Sequence, residues 1–373
     1  MGNSLAIGRL FGIPLRLHYT WFVIFALVTI SLSWEYFPAN YPHWSDGEYW
    51  LLGIATSLLF FASVVGHELA HSVVSTINGI PVRSITLFIF GGVARIAREA
   101  TNPRAELAMA LAGPLCSLCL SGIFSLIWFL MRDVSEPLGA LAAWLAWINL
   151  LLAMFNLIPG FPLDGGRVFR SIIWQVTGNY KRATRIASMT GRGVAYLFIG
   201  GGIAMMLFTG DWFGGLWLAF IGWFLDNAAS TSYHQAMLRE ALQGLTARDV
   251  MTSNCPSVSP DLTLAQLVRG YAMPGGQRCF LVADESRLEG ILTLGDIEAV
   301  PQPRWETTTV DKAMTRVDEL KMADSGEDAV NLLERMYEED IDQLPVVSEG
   351  RVIGIIARDS LGRFIRTRPD PGL

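Results

Sequence analysis

Two histidines and a glutamate stand within five residues at His67-Glu68-Leu69-Ala70-His71, at the end of an apolar stretch. A separation of four puts His67 and His71 about one turn apart on a single helical face, so both imidazoles can reach one metal ion. Glu68 lies beside them, where a carboxylate could take the proton of an attacking water. Polar side chains inside an apolar helix need an explanation. Histidines hydrogen-bonded between helices are the competing one.

Catalytic zinc ordinarily takes three protein ligands and leaves a position open, so two histidines are one ligand short. The candidate for the third is Asp164, in Asn156-Leu157-Ile158-Pro159-Gly160-Phe161-Pro162-Leu163-Asp164-Gly165-Gly166. These prolines and glycines break a helix, and irregular backbone at membrane depth must be buried in protein or line a cavity. Taken alone, Asp164 reads as a turn residue before two glycines. Beside the histidine pair it reads as a ligand.

These residues must be positioned by membrane helices. Of 373 residues, 51% are hydrophobic and only 17% charged, with a mean hydropathy of +0.38. A soluble domain is nearer a quarter charged, so this composition excludes disorder, a fibrous repeat and a disulfide scaffold. Residues 1–236 carry 13 Lys/Arg and 11 Asp/Glu, net +2, and residues 237–373 carry 15 and 23, net −8, which together give the overall −6. The first part is charge-poor and the second has the composition of a soluble domain. A mild acidic balance without a basic stripe argues against nucleic acid as partner. Cys116 and Cys119 read as packing residues on an apolar path; Cys255 and Cys279 lie in the charged part.

Spans of about 20 apolar residues are expected at six places: His18 to Tyr36, Trp50 to Val74, Leu107 to Met131, Leu138 to Leu157, Val194 to Phe208, and Trp212 to Asn227. The first is long and has no small-residue cleavage site, so it reads as a span that stays. With the N-terminus in the cytoplasm, twelve basic residues face inward and only Arg132 faces outward. That bias satisfies the positive-inside rule and returns the acidic third to the cytoplasm. Ile80 to Ile96 is too broken by Pro and Gly for a span but rich in strand formers. It reads as a short membrane-associated hairpin whose edge could pair with an extended substrate, or as a surface hairpin without that role. Proline at Ile85 or Ile89 is the corresponding test.

His67-Glu68-Leu69-Ala70-His71 on a membrane helix, Asn102 to Ser117 with its Ala112-Gly113-Pro114, and Asn156-x-x-Pro159-x-x-Pro162-Leu163-Asp164-Gly165 together resemble the site-2 protease family of intramembrane zinc metalloproteases. The resemblance covers residues 1 to about 230. It implies that His67, His71 and Asp164 hold one zinc ion, that Glu68 is the general base, and that Asn156 lies near the substrate carbonyl or developing oxyanion. The implied activity is hydrolysis of peptide bonds in or near transmembrane segments of membrane-protein substrates.

Past residue 245 the chain repeats itself. Val250-Met251-Thr252 recurs as Ala313-Met314-Thr315, and Gly290-Ile291-Leu292 as Gly354-Ile355-Ile356. This two-copy α/β unit resembles a pair of cystathionine-β-synthase (CBS) domains, expected at 249–305 and 306–368 after a linker at 237–248. The resemblance implies an adenine nucleotide, ATP or AMP, held by Thr293 and Asp296 in the first repeat, and a homo-oligomer formed through the pair. The second repeat departs from the motif, with Ala357 at the Thr position, Asp359 one residue early and Ser360 at the Asp position. A structural or dimerising role without ligand is the alternative.

The fold expected is therefore a polytopic α-helical membrane protein of about six transmembrane helices with a short hairpin, joined to a cytoplasmic α/β CBS pair, and located as a multi-pass protein of the cell membrane. Two other functions stay open: a CBS-regulated channel or transporter, and a catalytically idle, zinc-containing membrane scaffold. Ion transport has no need of a paired metal-and-base constellation, which separates the first of these.

Overall fold

The computed structural model describes residues 4–89, 91–96, 100, 102–253, 255–272, 279–284, 287–317, 320–339, 341, 343–348 and 351–358. The chain forms two compact units, Met1–Gln235 and Ala236–Leu373.

The first unit opens with strands β1 (Ser4–Leu10) and β2 (Ile13–His18), followed by α1 (Thr20–Ser31), which runs on through Leu32–Tyr36 into α2 (Phe37–Asn40). The long α3 (Asp46–Ile77) leads to β3 (Val82–Phe88) and β4 (Gly91–Ile96), then α4 (Pro103–Met131) and α5 (Glu136–Asn156). A short α6 (Asp164–Thr177) precedes α7 (Tyr180–Thr209) and α8 (Trp212–Leu242). Polar residues set the helix starts. Ser45 Oγ accepts the Glu48 N–H while the Glu48 carboxylate accepts the Ser45 N–H, a capping box for α3. Asn102 Oδ1 accepts the Ala105 N–H at 2.8 Å, with Pro103 at the first helical position of α4.

Among the described residues, five helices are long and apolar enough to cross a membrane: Thr20–Asn40, α3, α4, α5 and α7. The sixth expected span, Trp212 to Asn227, is the first half of α8, which is long but not among those five. Small residues such as Ala105, Ala110, Ala140, Ala142, Ala153 and Ser117 are buried where helices meet, while Leu126, Phe129, Leu197 and Leu207 point outward. That inversion suits a lipid surround, where close backbone approach rather than water exclusion drives helix association.

The hairpin expected over Ile80 to Ile96 is present as β3 and β4, but in a four-stranded sheet of order β1-β2-β3-β4. β2 pairs parallel with β3 (Leu15 with Ile85) and β3 antiparallel with β4 (Ile85 with Ala94). Strands β1 and β2 were not anticipated, since their few residues directly precede a span. Their presence corrects the choice of edge: β3 is an inner strand and Ile85 is 1% exposed, so among the described residues the outer strand on this side is β4.

In the second unit β5 (Ser257–Val258), β6 (Cys279–Asp284), β7 (Arg287–Thr293) and β8 (Thr315–Arg316) form one sheet, and β9 (Ala323–Asp324), β10 (Gln343–Ser348) and β11 (Arg351–Ala357) another. The recurring motifs are where the two halves exchange segments. Thr315 pairs with Ile291 of β7, and Thr252 forms a bridge with Ile355 of β11. A Cβ on Gly290 would sit 2.7 Å from Met314 Sδ, and one on Gly354 would sit 2.8 Å from Met251 Sδ. Each glycine thus makes room for the Met-Thr segment of the other repeat. Leu264, Phe280, Leu292 and Ile297 fill one core, and Leu332, Met336, Leu344 and Ile356 the other. Cys255 and Cys279 are joined in a disulfide, whereas Cys116 and Cys119 are free thiols. Asp359 and Ser360 lie outside the described residues.

Candidate metal centre

His67 and His71 occupy the inner face of α3, 4% and 5% exposed, and their rings meet edge to face with centroids 4.8 Å apart. Asp164 is the first residue of α6, reached through the Pro-Gly turn after α5. That turn can approach closely because its glycines have no side chains. A Cβ on Gly165 would overlap the carbonyl oxygens of Leu157 and Ile158, one on Gly166 the backbone of Gly160 and Phe161, and one on Gly191 of α7 the backbone of Phe161. Asp164 Oδ2 is thereby held 3.1 Å from His67 Nε2 and 3.0 Å from His71 Nε2, with the two Nε2 atoms 3.2 Å apart.

The outer nitrogens of the two rings are also engaged. His71 Nδ1 lies 2.7 Å from the Met109 carbonyl oxygen, which can only accept, so the proton of this imidazole is on Nδ1. His67 Nδ1 lies 2.9 Å from Ser117 Oγ. The first contact turns the His71 Nε2 lone pair inward, and the second lets His67 do the same when Ser117 Oγ accepts from Nδ1, the tautomer a metal-binding histidine needs. The His71 Nε2 lone pair and Asp164 Oδ2, 3.0 Å apart, are both acceptors and would repel one another unless a cation lay between them. A tetrahedral zinc with ligands at about 2.0–2.1 Å sets its donors about 3.3 Å apart, close to the separations here. Gly113 of α4 gives a further test of fit. A Cβ there would lie 2.5 Å from His67 Nε2 and closer still to His71 Nε2. The backbone is shaped to keep side-chain atoms out of the space the three donors share.

Among the described residues, His67, His71 and Asp164 are the set of titratable side chains whose donor atoms, all within 4.8 Å, could hold a metal ion. Glu68 is on the same turn of α3 and is covered by β4: the Ala94 backbone hydrogen-bonds its carboxylate, and a Cβ on Gly92 would overlap its side chain. Asn156 is the last residue of α5, and its Nδ2 donates to the Leu152 carbonyl at 3.0 Å; the described contacts do not tie it to the histidines. Thr293 and Asp296 are together, as a reciprocal cap of the helix Leu294–Ala299: Asp296 Oδ2 accepts from the Thr293 N–H (2.9 Å) and Oγ1 (2.8 Å). The positioning roles of Ser117, the Met109 carbonyl and Gly113 were missed from the residue pattern. They lie on one face of α4 at helical spacing, a signal that means something only once α4 is known to face the histidines.

Fold and site together define a class: a polytopic helical membrane protein with a metal-ligand set inside its helix bundle, joined to a paired α/β module. The model of "Peptidase family M50" matches residues 55–140 and 132–199, and that of the "CBS domain" matches 247–300 and 308–366. The chain is 36% identical to "Putative zinc metalloprotease sll0528" of Synechocystis, over 98% of this chain and 97% of that protein. It is 34% identical to "Putative zinc metalloprotease Rip3" of Mycobacterium tuberculosis, over 98% and 93%. A solved CBS domain pair of protein MJ0100, in complex with 5′-methylthioadenosine and S-adenosyl-L-methionine, is similar at 20% identity and a TM-score of 0.28, over 32% of this chain and 95% of that one. The chain therefore belongs to peptidase family M50, the zinc metalloproteases of the site-2 protease type, in a form that carries a CBS pair.

Proposed function

We propose that this protein is an intramembrane endopeptidase that cuts peptide bonds in or near transmembrane segments of membrane proteins, in a cell membrane, under the control of its CBS pair. The observation that carries the reading is the convergence of His67, His71 and Asp164, with Glu68 one residue from the first ligand and an edge strand against it. His67, His71 and Asp164 would hold a zinc ion, which when bound would supply a Lewis acid for the scissile carbonyl and lower the pKa of water to about 7. Glu68 takes the proton of the attacking water and hands it to the leaving amine. Asn156, at the end of α5, is assigned to the substrate carbonyl. The test compares membrane proteins in native membranes carrying wild type or Glu68→Gln. Substrates should accumulate uncut in the variant, and identical lengths and amounts in both would refute the protease reading.

A helical substrate shields its carbonyls in hydrogen bonds and must unwind before attack. The outer edge of β4, which Glu68 already engages at the Ala94 backbone, offers its other backbone groups for an unwound segment to pair with. Proline cannot donate to a ladder. A membrane-embedded reporter that carries proline in the segment flanking the cut site, and so lacks the N–H donors for the β4 edge, should be cleaved roughly tenfold or more slowly by the unaltered protein. Unchanged turnover would remove the edge from the mechanism.

For orientation we adopt the cytoplasmic N-terminus favoured by the basic residues, with α8 as the sixth crossing and the unit beyond it in the cytoplasm. Residues 1–236 are assigned as the catalytic domain, 237–248 as the linker and 249–305 and 306–368 as the CBS repeats. The first repeat is assigned one adenine nucleotide at Thr293 and Asp296, and the pair a homo-oligomeric contact. Titration of the full-length protein in detergent with ATP and with AMP should give saturable binding that Asp296→Ala weakens at least about tenfold, as expected for loss of a charge-assisted hydrogen bond. Binding indifferent to that substitution would place the nucleotide elsewhere.

A further inference from the structure

Glu106 and Arg170 are two charged residues in the interior of the membrane unit, with side chains 1% and 7% exposed, and they are ion-paired to each other. Arg170 reaches Glu106 with both Nε, at 2.7 Å, and a terminal nitrogen. Its guanidinium also lies 4.9 Å from the Phe161 ring centre and 4.8 Å from that of Tyr180. One side chain thus joins four pieces of chain: α4 through Glu106, the Pro-Gly turn through Phe161, the start of α7 through Tyr180, and its own helix α6. Charge so placed is costly unless it has a function, and the hydrolytic chemistry assigned above has no direct use for either residue.

Their places along the helices supply one. On α4, Glu106 precedes Met109, Gly113 and Ser117 by three, seven and eleven residues, which is one helical face. That face carries the carbonyl that holds His71, the gap that admits the three donors and the hydroxyl that holds His67. On α6, Asp164 is the first residue and Arg170 lies six further on, about 9 Å along the axis. α6 has only 14 residues, too few to be held by spanning the membrane.

We infer that Glu106 and Arg170 are positioning residues that clamp α6 to α4 and so set Asp164 at bonding distance from His67 and His71. The inference rests on the metal reading proposed above. The planar guanidinium suits the task, since its fork fixes direction as well as distance and its faces stack on the two rings.

Loss of either partner alone leaves a buried unpaired charge and can unfold the protein, so the decisive variant is Glu106→Gln/Arg170→Met, which removes both charges at similar volume. Full-length wild type and variant, purified in detergent, are compared for zinc affinity by chelator competition, for the visible bands of bound cobalt(II), which report ligand geometry, and for thermal unfolding. The expected result is a variant that unfolds near the wild-type temperature, binds zinc 10–100-fold more weakly, as for other partners of metal ligands, and has altered cobalt bands. Affinity within twofold of wild type with the same bands would overturn the inference and leave the pair a packing element. If the double variant does not fold, Arg170→Lys is read in the same way. It keeps the charge but not the fork or the flat faces, so at least a threefold loss of affinity is expected, and unchanged affinity and bands overturn the clamp. A wild type that takes up neither ion would instead refute the metal reading itself.

Discussion

Alanine at Gly113 is expected to cut the zinc content of the purified protein from about one ion per chain to less than about a tenth of that. The added Cβ would fall 2.5 Å from His67 Nε2 and nearer to His71 Nε2, so the imidazoles must swing away from Asp164 to admit it. No helical instability competes with this effect. In a helix interior alanine is favoured over glycine by roughly 0.5–1 kcal/mol, so α4 should gain helical propensity while the site is lost. Metal analysis alongside circular dichroism separates the two. Full zinc occupancy in Gly113→Ala would show that the donors converge elsewhere than in the space Gly113 leaves open.

Glu68→Gln should have the opposite signature, with zinc retained and turnover lost. Glutamine has the same shape and can still accept the hydrogen bond from the Ala94 backbone, but it cannot take a proton from water. General-base catalysis contributes about 10²–10⁴-fold, and a drop of that size in cleavage of a membrane-embedded reporter is expected, with zinc content near wild type. A variant that kept a tenth of wild-type turnover would shift the proton-transfer role to another group. Read together, the two substitutions distinguish a site that has lost its ion from one that has lost its base.

Much of the centre was legible because helical periodicity is local information. His67 and His71 are four residues apart, so any helix that contains them puts them on one face. The two CBS repeats were legible for a similar reason, since a recurring Met-Thr and Gly-Ile pattern is visible without knowing what touches what. The structure then showed why the pattern recurs: each glycine receives the methionine of the other repeat. Strands β1 and β2 were not legible, because two short strands beside a span carry no periodicity strong enough to stand out from it. The edge strand was therefore assigned to a free hairpin, and the parallel pairing of β2 with β3 moved the available edge to β4.

The sequence by itself determined that this is a membrane chain with a charge-rich module after it, and it determined which side chains could bind a metal and which could act as base. Only the tertiary structure decided that Asp164 reaches the histidines, because residues 97 positions apart are brought together by packing and not by any local spacing. It also decided the part played by α4. Gly113, Ser117 and Glu106 are ordinary membrane-helix and helix-start residues in the sequence, and they gain their roles from the one rotation of α4 that turns their common face toward the histidines and α6. That rotation is set by close packing of small side chains among several helices, and no single helix encodes it.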